Sequence, residues 1–250
     1  MRRPLTMLGV LATLALGAGA SSAATPPAGG GFVHRITNPY MPLTPGSRWV
    51  YIGVKDGQSQ RDVVTVTHST KRILGIDATV VTDVATHGRT VLERTTDWFA
   101  QDVHGNVWYL GERTAAYENG QVDHSGSWQA GVDGARPGIV MNAHPQVGDT
   151  HRQEYLKGEA EDQYWLVDLA QRVRTPYVTT SHAALTLEWT RLEPGVIDRK
   201  YYVRGIGLVA ELSAQGPRET ARLVHHTTGY AARPGRPGVS TVTAAPIRAR

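Results

Sequence analysis

The chain of 250 residues contains no cysteine. That excludes disulfides, thiolate metal sites and a thiol nucleophile, and it leaves burial and hydrogen bonding to hold the fold. It also excludes a lipoprotein anchored through a cysteine at a cleavage point. Long apolar runs are missing too, apart from residues 5–18. That run is shorter than the about 20 apolar residues a membrane-spanning helix needs. Arg2 and Arg3 precede it, small residues follow it, and Ser22-Ala23-Ala24 fits a small-x-small cleavage signal. Residues 1–24 therefore read as an export signal, and the exported chain is expected to be soluble, with no transmembrane segment. The general export route and the twin-arginine route both fit these residues.

A basic surface is also missing. The formal net charge is +4, but Arg2 and Arg3 leave with the signal, and Arg233, Arg236, Arg248 and Arg250 lie in the tail. The body between is slightly acidic. A nucleic-acid-binding domain needs a clustered basic face, so that class is excluded. Familiar catalytic patterns are absent as well. There is no His-Glu-x-x-His, and His225-His226 point to opposite faces of a strand. The glycine-rich stretch 130–138 lacks the Lys-Ser/Thr of a phosphate loop. Ser127 lies in no Gly-x-Ser-x-Gly elbow.

What the chain does have is alternation punctuated by turn residues. Residues 61–67 read Arg-Asp-Val-Val-Thr-Val-Thr, a β-branched run. Asp56-Gly57, His87-Gly88, His104-Gly105 and Asn119-Gly120 sit between such runs, and glycine there supplies the positive φ of tight hairpins. The spacing predicts an all-β fold: an antiparallel meander curled into an open or closed barrel, with little helix outside the signal. Residues 158–173 fit either a helix or a bulged strand, and the strand is preferred because the neighbouring segments are β. The expected organisation is a disordered leader over 25–31, a single antiparallel β domain over 32–230, and a disordered Arg/Pro/Gly tail over 231–250. The tail arginines are candidates for contact with anionic surfaces.

Several stretches resemble a group of uncharacterised exported bacterial β proteins. They include Asp97-Trp98-Phe99-Ala100-Gln101-Asp102, Gly105-Asn106-Val107-Trp108-Tyr109-Leu110-Gly111-Glu112 and the Gly126-Ser127-Trp128-Gln129-Ala130-Gly131-Val132-Asp133-Gly134-Ala135 run. The likeness covers most of residues 38–225. It implies export and a β fold, and it carries no activity. More loosely, Lys200-Tyr201-Tyr202-Val203-Arg204-Gly205-Ile206-Gly207-Leu208-Val209 is similar to the last hairpin of periplasmic lipoprotein-carrier half-barrels. Those domains usually have a Gly-x-Phe turn where this chain has Thr179-Thr180-Ser181-His182.

The richest element is the hairpin over residues 97–112. With His104-Gly105 as a two-residue turn, Asp97 faces Glu112 and Phe99 faces Leu110. A three-residue loop shifts that register by one. On the first register Trp98, Tyr109, Tyr117 and Trp128 share a face. They are either core or the lining of a pocket for a small apolar or amphipathic molecule, with Asp102 and Arg113 as its polar groups. Asp97 opposite Glu112 is a like-charge pair that needs relief from water, arginine, a raised pKa or a cation. A calcium ion there would want about six to eight oxygens, and the spaced ladder of a calcium loop is missing, so no cofactor is expected. The functional expectation is a non-enzymatic exported binding protein. The alternatives are a carboxylate-dependent hydrolase or cyclase working in the barrel mouth, or a structural envelope protein.

Overall fold

The computed structural model describes Pro26 and residues 31–229. The expected signal, the tail and nearly all of the leader lie outside the described residues. Within them the protein is all-β, with sixteen strands and no helix.

The first meander runs through β1 (Phe32–Val33), β2 (Arg48–Lys55), β3 (Gln58–Ile73), β4 (Ile76–His87), β5 (Thr90–Asp102) and β6 (Val107–Glu118). β2 to β6 pair in chain order, and β1 lies beside the end of β5. Local chemistry explains the hairpins. Asp56 and Gly57 have φ of 48° and 76°, and Asn119 and Gly120 have 51° and 76°. Those are the paired positive values of a type I′ turn, whose twist matches that of the strands. Leu74 and Gly75 make the same turn, with φ of 50° and 81°. No sequence signal marks it, because leucine rarely adopts this conformation.

After β6 the short strands β7 (Gln121–Asp123) and β8 (Trp128–Gln129) fold back onto it, and β9 (Arg136–Met141) pairs with its other end. β10 (Thr150–Arg152) and β11 (Glu154–Tyr155) follow. A second meander then runs through β12 (Gln163–Arg174), β13 (Thr179–Trp189), β14 (Ile197–Val203), β15 (Gly207–Gln215) and β16 (Thr220–Thr227). β16 pairs with β2 and joins the two meanders into one sheet. The stretch that fitted helix or strand is a strand from Gln163 onward, with register shifts along its pairing with β13.

The two ends of the sheet, β10 and β11, are separated in the chain by Gln153 alone. β10 pairs with β12, and β11 pairs with β9. Residues 150–155 therefore bridge the gap between the two meanders, and the barrel is nearly closed with one unsealed seam. Gly138 lies against this seam. A Cβ there would sit 2.0 Å from the carbonyl oxygen of Arg152 and 2.6 Å from the carbonyl carbon of Gln153. Only glycine lets β9 approach so closely.

Residues 36–46 cross one end of the barrel. Asn38 Nδ2 donates to the carbonyls of Gly105 and Asn142, and Gly205 N–H donates to the carbonyl of Pro39. Gln101 Oε1 accepts from the backbone N–H groups of Thr37 and Asn38. The segment thus ties the β5–β6 turn to the β14–β15 turn and buries Ile36, Tyr40, Met41 and Leu43.

Gly138→Ala should destabilise the protein by about 2 kcal/mol, as overpacking does. In a barrel of this size that lowers Tm by roughly 4–8 °C. Gly134→Ala serves as a control for the loss of any glycine. A Cβ added there would have no atom within 4 Å, although the φ of 81° adds local strain. Thermal unfolding of the two variants tests whether β9 packs against residues 152–153 as closely as described.

Candidate functional site

The like-charge pairing of Asp97 with Glu112 is present. Beyond it, the hairpin departs from the two-residue-turn register. Asp102 N–H donates to the Asn106 carbonyl, so the loop is Val103-His104-Gly105, and Phe99 pairs with Tyr109 instead of Leu110. A bulge at Gly111 absorbs the difference. Its φ is 135°, and a Cβ would lie 2.4 Å from the Trp128 carbonyl oxygen.

This one-residue shift divides the expected aromatic face, because successive strand residues point to opposite sides. Tyr109 turns inward, stacks on Phe99 with ring centroids 4.8 Å apart, and meets Trp128 edge-on at 5.3 Å. Trp98 is on the outer face, buried beneath the ammonium group of Lys71, whose Nζ is 3.3 Å from the ring centroid. Arg113 is exposed, and Tyr117 is 40% exposed near the β6–β7 turn. Asp102 accepts from His104 N–H, Asn106 N–H, Asn106 Nδ2 and Trp108 Nε1, each at 2.9 Å. Its oxygens hold the hairpin loop. The six candidates for one pocket thus lie in several environments, and only Tyr109 and Trp128 meet inside the barrel.

The interior itself is rich in acids. Asp62 on β3, Asp83 on β4, Glu93 and Asp97 on β5, Glu112 on β6 and Glu154 on β11 are all buried. So are Glu188 on β13, Asp198 on β14 and Glu211 on β15. Lys200 is the one buried base among the described residues, and its Nζ is 2.9 Å from Glu188 Oε2. Glu188 also accepts from Thr186, Tyr202 and Gln153. Burial alone would lower the Lys200 pKa, but the carboxylates of Glu188 and Glu211 more than offset it and hold the ammonium charged.

Lys200 also opposes the rise in pKa at Asp198 and Glu211, as Lys55 and Arg61 do at Asp62, but burial outweighs them. Burial raises Asp97 to about 7, against the opposing hydrogen bond from Tyr109. Burial likewise raises Asp62 to about 6, Asp198 to about 7 and Glu211 to about 8. Asp83, Glu112 and Glu154 are pushed well above the carboxylate range, first by burial and then by their acidic neighbours. Proton counting supports the direction. Glu93, Thr95, Thr114 and Glu112 form a chain of three contacts at 3.0, 3.0 and 3.2 Å. Two threonine hydroxyls supply two protons for three hydrogen bonds. A proton on either the Glu93 or the Glu112 carboxyl completes the chain. The upward shift of Glu112 favours its protonated form, which lessens the repulsion with Asp97. Among the described residues no three histidine or acidic side chains are placed to hold a metal ion.

A pocket of about 60 Å³ lies in the barrel beneath the 36–46 segment. Trp49, Tyr51, Val64, Val81 and Phe99 line one side, and Tyr202, Gly207 and Leu208 line the opposite wall. Met41, Pro42 and Leu43 cover it, and Asp83 and Asp97 are its only acids among the described residues. Trp49 and Tyr51 are held in place by hydrogen bonds to the carbonyls of Ile206, at 2.7 Å, and Leu208, at 2.9 Å. Phe99 is shared: one side of it faces this pocket, and Tyr109 and Trp128 stand behind it.

Trp49, Tyr51, Asp83 and Tyr202 are pocket residues that the expected aromatic face did not include. A local signal existed in the period-two series Glu93, Thr95, Asp97, Phe99 and Asp198, Lys200, Tyr202, which put charge and aromatics on one face.

No family model matches this chain, and no curated protein matches it. Among solved structures it is similar to a Bacteroides fragilis protein with a YmcC-like fold. That likeness has a TM-score of 0.45 and 14% identity, and it covers 79% of this chain and all of the other.

These carboxyls bind protons more tightly folded than unfolded. Their contribution to stability is therefore fully present below about pH 4 and is lost as the pH rises through about 6 to 8. Calorimetry should show Tm falling from pH 5 to pH 8.5. A flat or rising profile would mean that the interior acids are ionised and stabilised in some other way.

Proposed function

We propose that this is an exported binding protein that takes a small amphipathic molecule in the barrel interior. The observation that carries this reading is the pocket beneath residues 36–46. Its walls are apolar and aromatic, and its polar groups are few and placed at one end, as in small-molecule sites generally. The covering segment is attached mainly through backbone and amide hydrogen bonds, and it is the part of the barrel end that would move to admit a ligand. Export rests on the signal read in residues 1–24.

A second reading is a carboxyl-dependent hydrolase or cyclase, and one observation favours it. Asp97, with a pKa of about 7, is poised for proton transfer in a pocket. Among the described residues no serine, threonine or histidine lines that pocket, so such an enzyme would depend on Asp83 and Asp97 alone.

Native mass spectrometry of the protein purified from an exporting host tests the binding reading. The expected result is a retained small molecule on the wild type that is lost from Leu208→Trp, which fills the pocket, with the variant's folding checked by its Tm. No retained species on either, or the same species on both, would count against it.

A further inference from the structure

The polar end of this pocket is unusual in its charge. Asp83 is 9% exposed, lines the cavity, and its Oδ1 has no hydrogen-bond partner. Such a group is costly to bury unless something satisfies it. The charged groups around it supply nothing. Asp62 on β3 and Glu93 and Asp97 on β5 are all acids. Across the barrel, Lys200 on β14 is held by Glu188, with Glu211 and Asp198 beside it. Among the described residues no lysine, arginine or histidine lines the pocket. The hydroxyls of Tyr51 and Tyr202 are donated elsewhere, to the Leu208 carbonyl and to Glu188. What remains at the pocket is aromatic surface and unmatched carboxyl.

We propose that this pocket takes a small organic cation, an alkylammonium group, with Asp83 and Asp97 as its counter-charges and Trp49, Tyr51, Phe99 and Tyr202 as its aromatic walls. This specifies the ligand class and rests on the binding reading above. Aromatic faces attract ammonium cations through the ring quadrupole, most strongly where water is excluded. The volume, equivalent to about four water sites, suits a methylated ammonium head and leaves the rest of the molecule to pass outward beneath Met41 and Leu43. Asp97 already accepts from Tyr109, so Asp83 Oδ1 is the atom left to match, and an anionic ligand would add to the negative charge around it. Before a cation arrives, burial favours the protonated form of Asp83. Its arrival favours the ionised form, so binding drives a proton from the Asp83–Asp97 pair into solvent.

The test compares choline with 3,3-dimethylbutan-1-ol, its uncharged isostere, by titration calorimetry on the full chain at pH 7.5. Choline is expected to bind about tenfold or more tightly than the isostere, a margin in keeping with a desolvated cation–aromatic contact. Its heat should change with the ionisation enthalpy of the buffer, reporting the released proton. Asp83→Asn should narrow the margin between the two ligands, leaving the part that comes from the aromatic walls and Asp97. The wild-type comparison stands even if that variant fails to fold. Equal binding of both ligands, or tighter binding of the isostere, overturns the cation assignment and leaves the pocket. If neither binds while native mass spectrometry still finds a retained molecule, the cation class alone falls. If neither binds and nothing is retained, the binding reading falls with it.

Discussion

A sheet that closes on itself turns one side of every strand away from water, and here, among the described residues, that side carries many carboxyls and a single buried lysine. Everything particular about this barrel follows from how those acids are accommodated. A buried, unpaired carboxylate is too costly to keep, so the group takes a proton or finds a donor. Glu188 takes the donor route, drawing in Lys200, Thr186, Tyr202 and Gln153. Asp83, Glu112 and Glu154 are pushed toward the proton route, and Asp97 draws on both, with a raised pKa and a hydrogen bond from Tyr109. The barrel therefore has two polar regions of different character, one a compact ion pair and the other a protonated acid network.

These regions sit on opposite walls, and the pocket lies between the network and the β14–β15 hairpin. Phe99 links the pocket to the packed interior through Tyr109 and Trp128. The same strand, β5, supplies Glu93, Thr95 and Asp97 to the acids and Phe99 to the aromatic wall. One strand face thus carries charge, hydrogen bonding and apolar surface in a row of alternate residues. The 36–46 segment completes the enclosure by joining turns from the two meanders, so closure of the barrel end and shielding of the acids are one event.

Hairpins were legible because their chemistry is local. Asn119-Gly120 specifies its own turn, and the pairing of Tyr117 with Val122 follows directly from it. The opposition of Asp97 and Glu112 was also legible, since the Gly111 bulge and the three-residue loop displace only the pairs between them. The aromatic face was not. Adding one residue at a bulge reverses every side chain beyond it, and no composition rule marks Gly111 as a bulge instead of an ordinary strand glycine. The β3–β4 turn was not legible either, since leucine rarely takes the positive φ that Leu74 has there.

By itself the sequence determined the all-β class, the cysteine-free core, the main turns and the alternating pattern of the strands. Each of these depends on contacts between residues a few positions apart. Only the tertiary structure decided which alternate face was inside, that residues 150–155 bridge the two meanders, and that Trp49, Asp83, Asp97 and Tyr202 surround one space. Those are contacts between distant segments, and a carboxyl in a strand reads the same in sequence whether it faces solvent or the centre of a barrel.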